Sequence, residues 1–521
     1  MAGSGDFEAI VIGAGLGGLT AAALLARAGC RVLVIERNAG IGGAATVYRH
    51  GALDIEASLH ETDGWDPGDP KTPILRALGL GPEVALLDVG DLHEVRSPLI
   101  GAPLRIPHGI EPAIAALSAR FPGHAAGFRA YYARIVAMRE AAHMAMEHQD
   151  DGMWWLTRLP VLPFRLWPLI RDRHATVSEV LARLFGDAEG PKLALAANMP
   201  YYDDDPDRML FLAFAMAQAS FAVGGGHYLR GGSRALAGRL AAIVAEAGGR
   251  IETGREAVGI LVEDGHAAGV AHRPSGSTEP AREERARAVL GNAAPQVLAA
   301  MLPEPARAPY AAALEGRPLS ISLFSIALGL RQPARSFGVG AWSTVVLPAW
   351  MTRLAALKDA APLLGADPGP RLPPFILVDY GRLDTALNTA GPTLASITGV
   401  DRLANWEGLE PAAARARREA WMDRLIAALD AEFPGIAGAV VQREMATAAT
   451  MAQHLNTPGG AVYGFAPHAA AGGAFARGPR TTLPGLFHAS AFTTAGGFTG
   501  AMLGGAAAAR AAIAALQPSM R

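Results

Sequence analysis

Short apolar runs of about four to six residues alternate with longer apolar-periodic stretches, the pattern of strands alternating with helices in an α/β fold. Glu8–Ile12 (EAIVI) reads as a buried strand and Leu19–Ala28 (LTAAALLARA) as a helix closed by Gly29. Arg31–Glu36 (RVLVIE) reads as a second strand. Tyr48–Asp54 has the form of a hairpin turn. Farther on, Ser233–Ala247 predicts an amphipathic helix. Strands are expected at Arg250–Thr253, Ala257–Glu263, Ala267–His272 and Ala286–Leu290, with Asp264-Gly265 as a hairpin turn. Met209–Gly226 and Thr481–Ala509 carry no charge. Gln218, Ser220 and three glycines interrupt the first, and Pro484, His488 and repeated Gly and Thr the second, so both are read as buried segments rather than membrane spans.

Composition narrows the function classes. Half of the 521 residues are hydrophobic and 18% charged, which excludes a disordered chain. Lys and Arg total 46 against 48 for Asp and Glu, a formal net charge of −2 with no basic run, which argues against nucleic acid. A single cysteine, Cys30, excludes an internal disulfide and a cysteine-built metal site. The N-terminus lacks the basic and apolar regions of a signal peptide, so the fold is expected to begin there. With no G-x-S-x-G elbow and no P-loop lysine, serine hydrolases and P-loop NTPases fall away.

The chemistry starts at Gly13-Ala14-Gly15-Leu16-Gly17-Gly18, set between a strand and a helix. Gly13 permits the tight turn, Gly15 lets backbone approach a pyrophosphate, and Gly18 lets the helix pack on the strand. The helix N-terminus offers unpaired N–H groups to phosphates. Glu36, ending the second strand, can accept hydrogen bonds from a ribose diol and disfavours a 2′-phosphate, so NADP is not expected. The motif alone does not separate NAD from FAD.

A second glycine run, Gly40-Ile41-Gly42-Gly43-Ala44, follows the acid. It resembles the N-terminal signature of glutathione-reductase-like FAD enzymes, with Ala44 where that family usually carries Arg. Gly231-Gly232-Ser233 opening a helix, the hairpin about Asp264-Gly265 and Asn292-Ala293-Ala294-Pro295 after a strand follow in order. Leu483–Ser490 looks like a last strand, Thr493–Gly505 like a Thr-x-Pro-Gly turn before a final helix at Met502–Leu516, and Thr450–Phe465 like the segment preceding that strand. Together these resemble the FAD oxidoreductases that include bacterial phytoene desaturase, carotenoid isomerase and retinol saturase, within the flavin amine oxidase superfamily. Thr494 and Ala495 depart from the usual Pro and Gly.

The resemblance implies noncovalent FAD in a discontinuous Rossmann-like domain of the glutathione-reductase type. That domain comprises residues 1–75, 225–300 and 480–521, with an inserted α+β substrate domain from 76–224 and 301–479. It implies cofactor contacts at Gly13, Gly15, Leu16, Gly17, Gly18, Glu36, Arg37, Gly42, Gly43, Ala44, Val258, Asn292, Gly497, Phe498 and Met502. The final helix would turn its N-terminus to the flavin pyrimidine ring. The reaction implied is desaturation, saturation or isomerisation of a long apolar substrate, a carotenoid, a retinoid or an acyl chain, with quinone or O2 as possible electron acceptors.

Beside the second glycine run, His60 and Glu61 are candidate acid–base residues. His143, Glu147 and His148 lack the i,i+4 spacing of a helical metal pair, so no metal site is expected. Asp205 before Pro206 reads as a helix N-cap rather than a cation site. Met153–Arg173 (MWWLTRLPVLPFRLWPLIRDR) mixes Trp154, Trp155 and Trp167 with four arginines, while Pro160, Pro163 and Pro168 break any long helix. Trp with Arg is the composition of an interfacial anchor. A peripheral enzyme on the cytoplasmic face of the membrane is therefore expected. Two other readings remain. A flavin amine oxidase would need an aromatic cage, for which the C-terminal turn offers only Phe492 and Phe498. A non-catalytic FAD-bound membrane chaperone belongs to another class.

Overall fold

The computed structural model describes residues 7–81, 84–148, 151–469 and 478–517. The first six residues, on which the signal-peptide reading partly rests, lie outside these. A five-stranded parallel sheet runs in the order Arg250–Glu252, Val32–Ile35, Ala9–Ile12, Ala288–Gly291, Leu486–His488. Its central strands are apolar at every position because both faces are covered. Ala9, Val11, Val32 and Val34 face helices Leu16–Arg27, Ser233–Glu246 and Gly497–Leu516. Ile10, Ile12, Leu33 and Ile35 face Ile260, Val270 and Leu298 on the other side. There an antiparallel sheet of Arg255–Glu263, His266–Pro274 and Arg282–Arg285 packs, its tight turn made by Asp264 and Gly265 with φ of 48° and 74°.

A second sheet has seven strands, in the order Val440–Ala446, Ser322–Leu330, Thr393–Asp401, Phe375–Asp379, Ser343–Val346, Asp91–Ser97, Gly101–Pro107. All its pairs are antiparallel except Ser343–Val346 with Asp91–Ser97. Phe324, Ile326 and Leu328 bury against Trp421, Leu425 and Leu429 of helix Pro411–Glu432. Helices between Ile110 and Gly224 complete this half. The whole is a mixed α/β fold, a Rossmann-like unit joined to a sheet-rich second unit.

Two local expectations are corrected. The final helix begins at Gly497, not Met502. Its glycine-rich first turn reads as a loop from propensity alone, but tertiary packing holds it helical. Asp205 does not cap a helix. Its Oδ1 accepts from the Asp207 N–H at 3.0 Å in a turn, and the helix starts at Phe211. As expected, the prolines of 153–173 leave no long helix there, only two short ones. Gly152–Arg158 and Leu162–Arg171 form a pair, with Pro163 tolerated in the first turn and Pro168 inside the second.

Of the uncharged stretches, Phe211–Gly224 is a helix half sunk in the core. Gly497–Leu516 is long and apolar enough by composition to cross a bilayer, yet it packs on the first helix, with Gly505 against the Gly17 carbonyl.

Candidate active site

The glycine run after the first strand turns at Gly13, where φ is +95°, and enters the helix at Gly15. The turn is crowded by backbone and by Asn292. A Cβ on Gly15 would lie 2.5 Å from Asn292 Nδ2, and one on Gly18 would lie 2.1 Å from the Gly13 carbonyl. Gly42 bridges to Gly15, and a Cβ on Gly43 would sit 3.1 Å from the Gly15 Cα, so the second glycine run lies directly over the first. The first helical amides have no partner inside the helix and open on the space beside it. Glu36 ends its strand with Oε2 accepting from the Ala14 N–H at 2.7 Å and Oε1 from the Asn38 N–H at 2.8 Å. Each carboxylate oxygen keeps a further acceptor site.

This cradle opens into a cavity of about 1850 Å³. Small-molecule sites usually span ~300–1,000 Å³, so the space suits a dinucleotide together with a second molecule. Gly13, Gly15, Leu16, Gly17, Glu36, Arg37, Gly42, Gly43, Ala44, Asn292, Gly497 and Phe498 line it, as do His60 and Glu61. Gly18, Val258 and Met502 do not. Gly18 is pressed onto the Gly13 turn, and Met502 is buried in the helix core with Ala501 and Leu503 on the cavity side. Val258 sits at a register shift between Ala257 and Gly259, and Glu256 and Ala257 reach the cavity instead.

The opposite wall is built from side chains. Leu212, Ala213, Met216, Ala217, Ser220 and Phe221 line the cavity at helical spacing, one stripe of helix Phe211–Gly224, and Met209 joins them from just before the helix. His60 Nδ1 lies 2.9 Å from Tyr201 Oη, and Nε2 lies 3.4 Å from Thr398 Oγ1. The backbone here is fixed from behind, Trp342 Nε1 donating to the His60 carbonyl and Tyr380 Oη to that of Leu59, each at 3.0 Å. Burial pulls the His60 imidazole down to about 4, so it is neutral near pH 7. Burial pushes the Glu61 carboxyl up to about 8, and its Oε2 is sealed without a hydrogen-bond partner. Near pH 7 the two neighbours are thus both uncharged, His60 as a neutral imidazole and Glu61 as a protonated carboxyl, the reverse of the carboxylate Glu61 would be in water.

The cavity is lined by more aromatic rings than the C-terminal turn supplies. Tyr201, Tyr202, Tyr463, Phe465 and Phe492 line it, a larger aromatic set than Phe492 and Phe498 alone. Arg317 sits over the Phe465 ring at 4.0 Å from its centroid. Asp63, Asp69 and Thr499 line it as well, joined by the buried Lys71. No cluster of metal ligands occurs among the described residues.

Of the three tryptophans in 153–173, only Trp167 is exposed. Trp155 Nε1 donates to the His148 carbonyl and Trp154 stacks on the His148 ring at 4.0 Å, so both indoles are half-buried. Phe164 and Trp167 are 82% and 55% exposed, with Met153, Leu156, Leu159 and Val161 also exposed.

A glycine-turn cradle at the end of a parallel sheet, with an acid ending the second strand and a large mixed cavity beside it, is the arrangement of a Rossmann-like dinucleotide site. Comparison with known proteins agrees. Residues 11–69 match the NAD(P)-binding Rossmann-like domain. The chain is 26% identical over 274 residues to human all-trans-retinol 13,14-reductase, an alignment covering 50% of this chain and 44% of that protein. It is 27% identical over 278 residues to the neurosporene-forming phytoene desaturase of Cereibacter sphaeroides, covering 50% of this chain and 49% of that one. The matches thus span about half the length of these relatives. Cyclohexylamine oxidase from Brevibacterium oxydans superposes with a TM-score of 0.57 over 99% of this chain and all of its own, at 18% identity. Over about half its length the chain is similar to retinol 13,14-reductase and phytoene desaturase, and its fold is that of cyclohexylamine oxidase.

Proposed function

We propose that the chain is an FAD-dependent oxidoreductase acting on a carbon–carbon bond of a long apolar lipid of retinoid, carotenoid or acyl type. The observation that carries this reading is that the dinucleotide cradle and the apolar stripe of helix Phe211–Gly224 share one cavity. The cofactor-binding unit is taken as residues 1–75, 225–300 and 480–521, and the substrate unit as 76–224 and 301–479.

The residues present fit FAD held without a covalent link. Amides of Gly15–Gly17 face the pyrophosphate and Glu36 the ribose. Ala44 brings no cation, so the helix end and its amides supply the neutralisation. Bound FAD would supply a hydride acceptor or donor. Around it, the stripe from Leu212 to Phe221 excludes water and aligns an extended chain. Glu61 stands protonated and gives its proton to the carbon adjacent to the one that receives hydride. His60, neutral and held by Tyr201, orients the reacting end. A resting proton on Glu61 favours saturation or isomerisation. In the oxidative direction Glu61 would have to start ionised, and quinone or O2 would take the electrons.

The chain is further read as peripheral on the cytoplasmic face of a membrane, through the exposed Phe164–Trp167 surface. Incubating flavin-loaded, dithionite-reduced protein anaerobically with all-trans-retinol, phytoene and a polyunsaturated acyl lipid tests the reaction. Chromatography should show a product saturated or isomerised at one bond. No conversion of any of them, with flavin bound, overturns the reading. Sedimentation with anionic vesicles tests the surface. Phe164→Ser with Trp167→Ser should leave protein in the supernatant with its flavin, whereas wild type that does not sediment removes the membrane reading.

An amine oxidase is the second reading, favoured by the Tyr201, Tyr202, Tyr463 and Phe492 wall. Arg317 already covers the face of Phe465, so that ring is closed to a substrate ammonium. Hydrogen peroxide release with a panel of primary amines would support it.

A further inference from the structure

We propose that Lys71, with Asp63 and Asp69, is a buried charge triad that sets the reduction potential of the flavin, resting on the cofactor reading above. Lys71 is 1% exposed. Its ammonium has three donors, and all three are spent: on Asp63 Oδ1 at 2.6 Å, Asp69 Oδ2 at 2.7 Å and Thr499 Oγ1 at 2.9 Å. Thr499 Oγ1 lies 3.0 Å from Asp63 Oδ1 as well. The triad is therefore closed on itself and tied to the first turn of helix Gly497–Leu516. Asp63, Asp69 and Thr499 all line the cavity into which that helix end and the dinucleotide cradle open.

Burying three charges costs more than their pairing returns unless every lone pair and proton is satisfied, so stability alone is a weak reason for the arrangement. Its consequence is a local field. With both carboxylates ionised the triad carries one net negative charge. The neighbouring Asp66–Arg139 pair, at 3.2 Å, is neutral in itself. Asp63 stays ionised, since the Lys71 ammonium and the hydrogen bonds from Lys71 and Thr499 outweigh its burial. Burial and the charge of Asp63 push Asp69 up to about 6, against the pull of Lys71.

A flavin gains electron density on reduction. A negative charge sealed beside the same cavity opposes that gain, and the opposition is stronger in a low-dielectric wall than in water. The helix end acts in the opposite sense, offering positive partial charge. Lys71 places the two against each other through Thr499. The potential is then a balance that single substitutions move in opposite directions. Lys71 is a positioning residue here and touches no reacting atom.

Spectroelectrochemical titration of the FAD-loaded protein tests this. Asp69→Asn removes the net negative charge while keeping the Lys71–Asp63 pair, and its midpoint should move to more positive potential than wild type. Lys71→Met, titrated at a pH alkaline enough to keep both carboxylates ionised, leaves them uncompensated, and its midpoint should move to more negative potential than wild type at that pH. Thr499→Val, which alters no charge, should move it less than either. Flavin-loaded Asp69→Asn and Lys71→Met with wild-type midpoints, or with midpoints displaced in one direction, overturn the triad's role and leave the cofactor reading standing. Where Lys71→Met fails to fold, Asp69→Asn decides alone. A wild-type chain that binds no FAD overturns the cofactor reading and the triad's role together.

Discussion

On one wall of the cavity, residues 12–17, 40–44 and Asn292 present mostly backbone: amides at a helix end, two glycine runs in contact, and one carboxylate whose oxygens already hold two N–H groups. On the other, residues 59–73, 199–221 and 461–467 present side chains that meet from distant parts of the chain. Backbone sites fail by steric exclusion, because an added Cβ has nowhere to go. Side-chain sites fail by lost chemistry while the fold survives. The two walls should therefore respond differently to substitution, and the contrast can be broken at either wall.

The largest effect is expected from Gly17→Val. A Cβ there meets the Ala489 carbonyl at 2.4 Å and that of Ala501 at 2.9 Å, and backbone cannot step aside. Overpacking of this kind costs ~1–3 kcal/mol or more. The purified variant should be colourless with a lowered urea midpoint; a yellow, stable variant would show that the wall is more pliant than its contacts imply.

Glu61→Gln comes next and should do the reverse, keeping flavin while turnover drops by ~10²–10⁴-fold, the usual contribution of a positioned acid. Wild-type turnover in the reductive direction should fall as pH rises through about 8, and the variant should lose that limb. Stability carries the matching sign. The folded chain keeps a proton that the unfolded chain releases above the ordinary 4.5, so wild type loses stability as pH rises from there to about 8. Melting temperatures of wild type and Glu61→Gln should therefore diverge at alkaline pH in favour of the variant. Parallel curves would mean the carboxyl ionises normally.

Glu36→Ala bridges the two kinds of wall, being a side chain that organises backbone. FAD affinity, titrated on apo-protein, should weaken by ~1–3 kcal/mol, the cost of unmade charge-assisted hydrogen bonds. An unchanged dissociation constant would confine Glu36 to holding Ala14 and Asn38. The smallest effect is expected outside the cavity. Arg165→Gln on the exposed helix should cost about 1 kcal/mol of affinity for anionic vesicles and nothing at high salt. A salt-independent loss would mean that Arg165 acts through packing.

The cradle was legible in the chain because it is local: strand, glycine turn, helix, strand and acid follow within Glu8–Glu36, and each glycine has a steric reason. Asn292 was reached through a motif rather than a spacing. Lys71 and Thr499 could not be paired by reading, since 428 residues separate them and neither stands in a local pattern. The final helix was placed five residues late because Gly496, Gly497 and Gly500 speak against a helix unless a neighbour demands close approach. In 153–173 composition pointed to an interface, but which ring faces outward depends on His148, whose carbonyl and ring claim Trp155 and Trp154. Side-chain orientation of that kind is decided by partners and not by propensity.

The contact between Gly17 and Gly505 also sets an order of events during synthesis. The first helix leaves the ribosome long before the helix that covers it and the sheet's edge strand, Leu486–His488. Until they arrive, the first helix exposes an apolar face and strand Ala288–Gly291 an unpaired edge, surfaces that aggregate or recruit chaperones. On the FAD reading, cofactor capture waits for both of these segments to close over the first helix. Chaperone supply during expression, more than flavin supply, should then limit how much of the protein is recovered in a folded state.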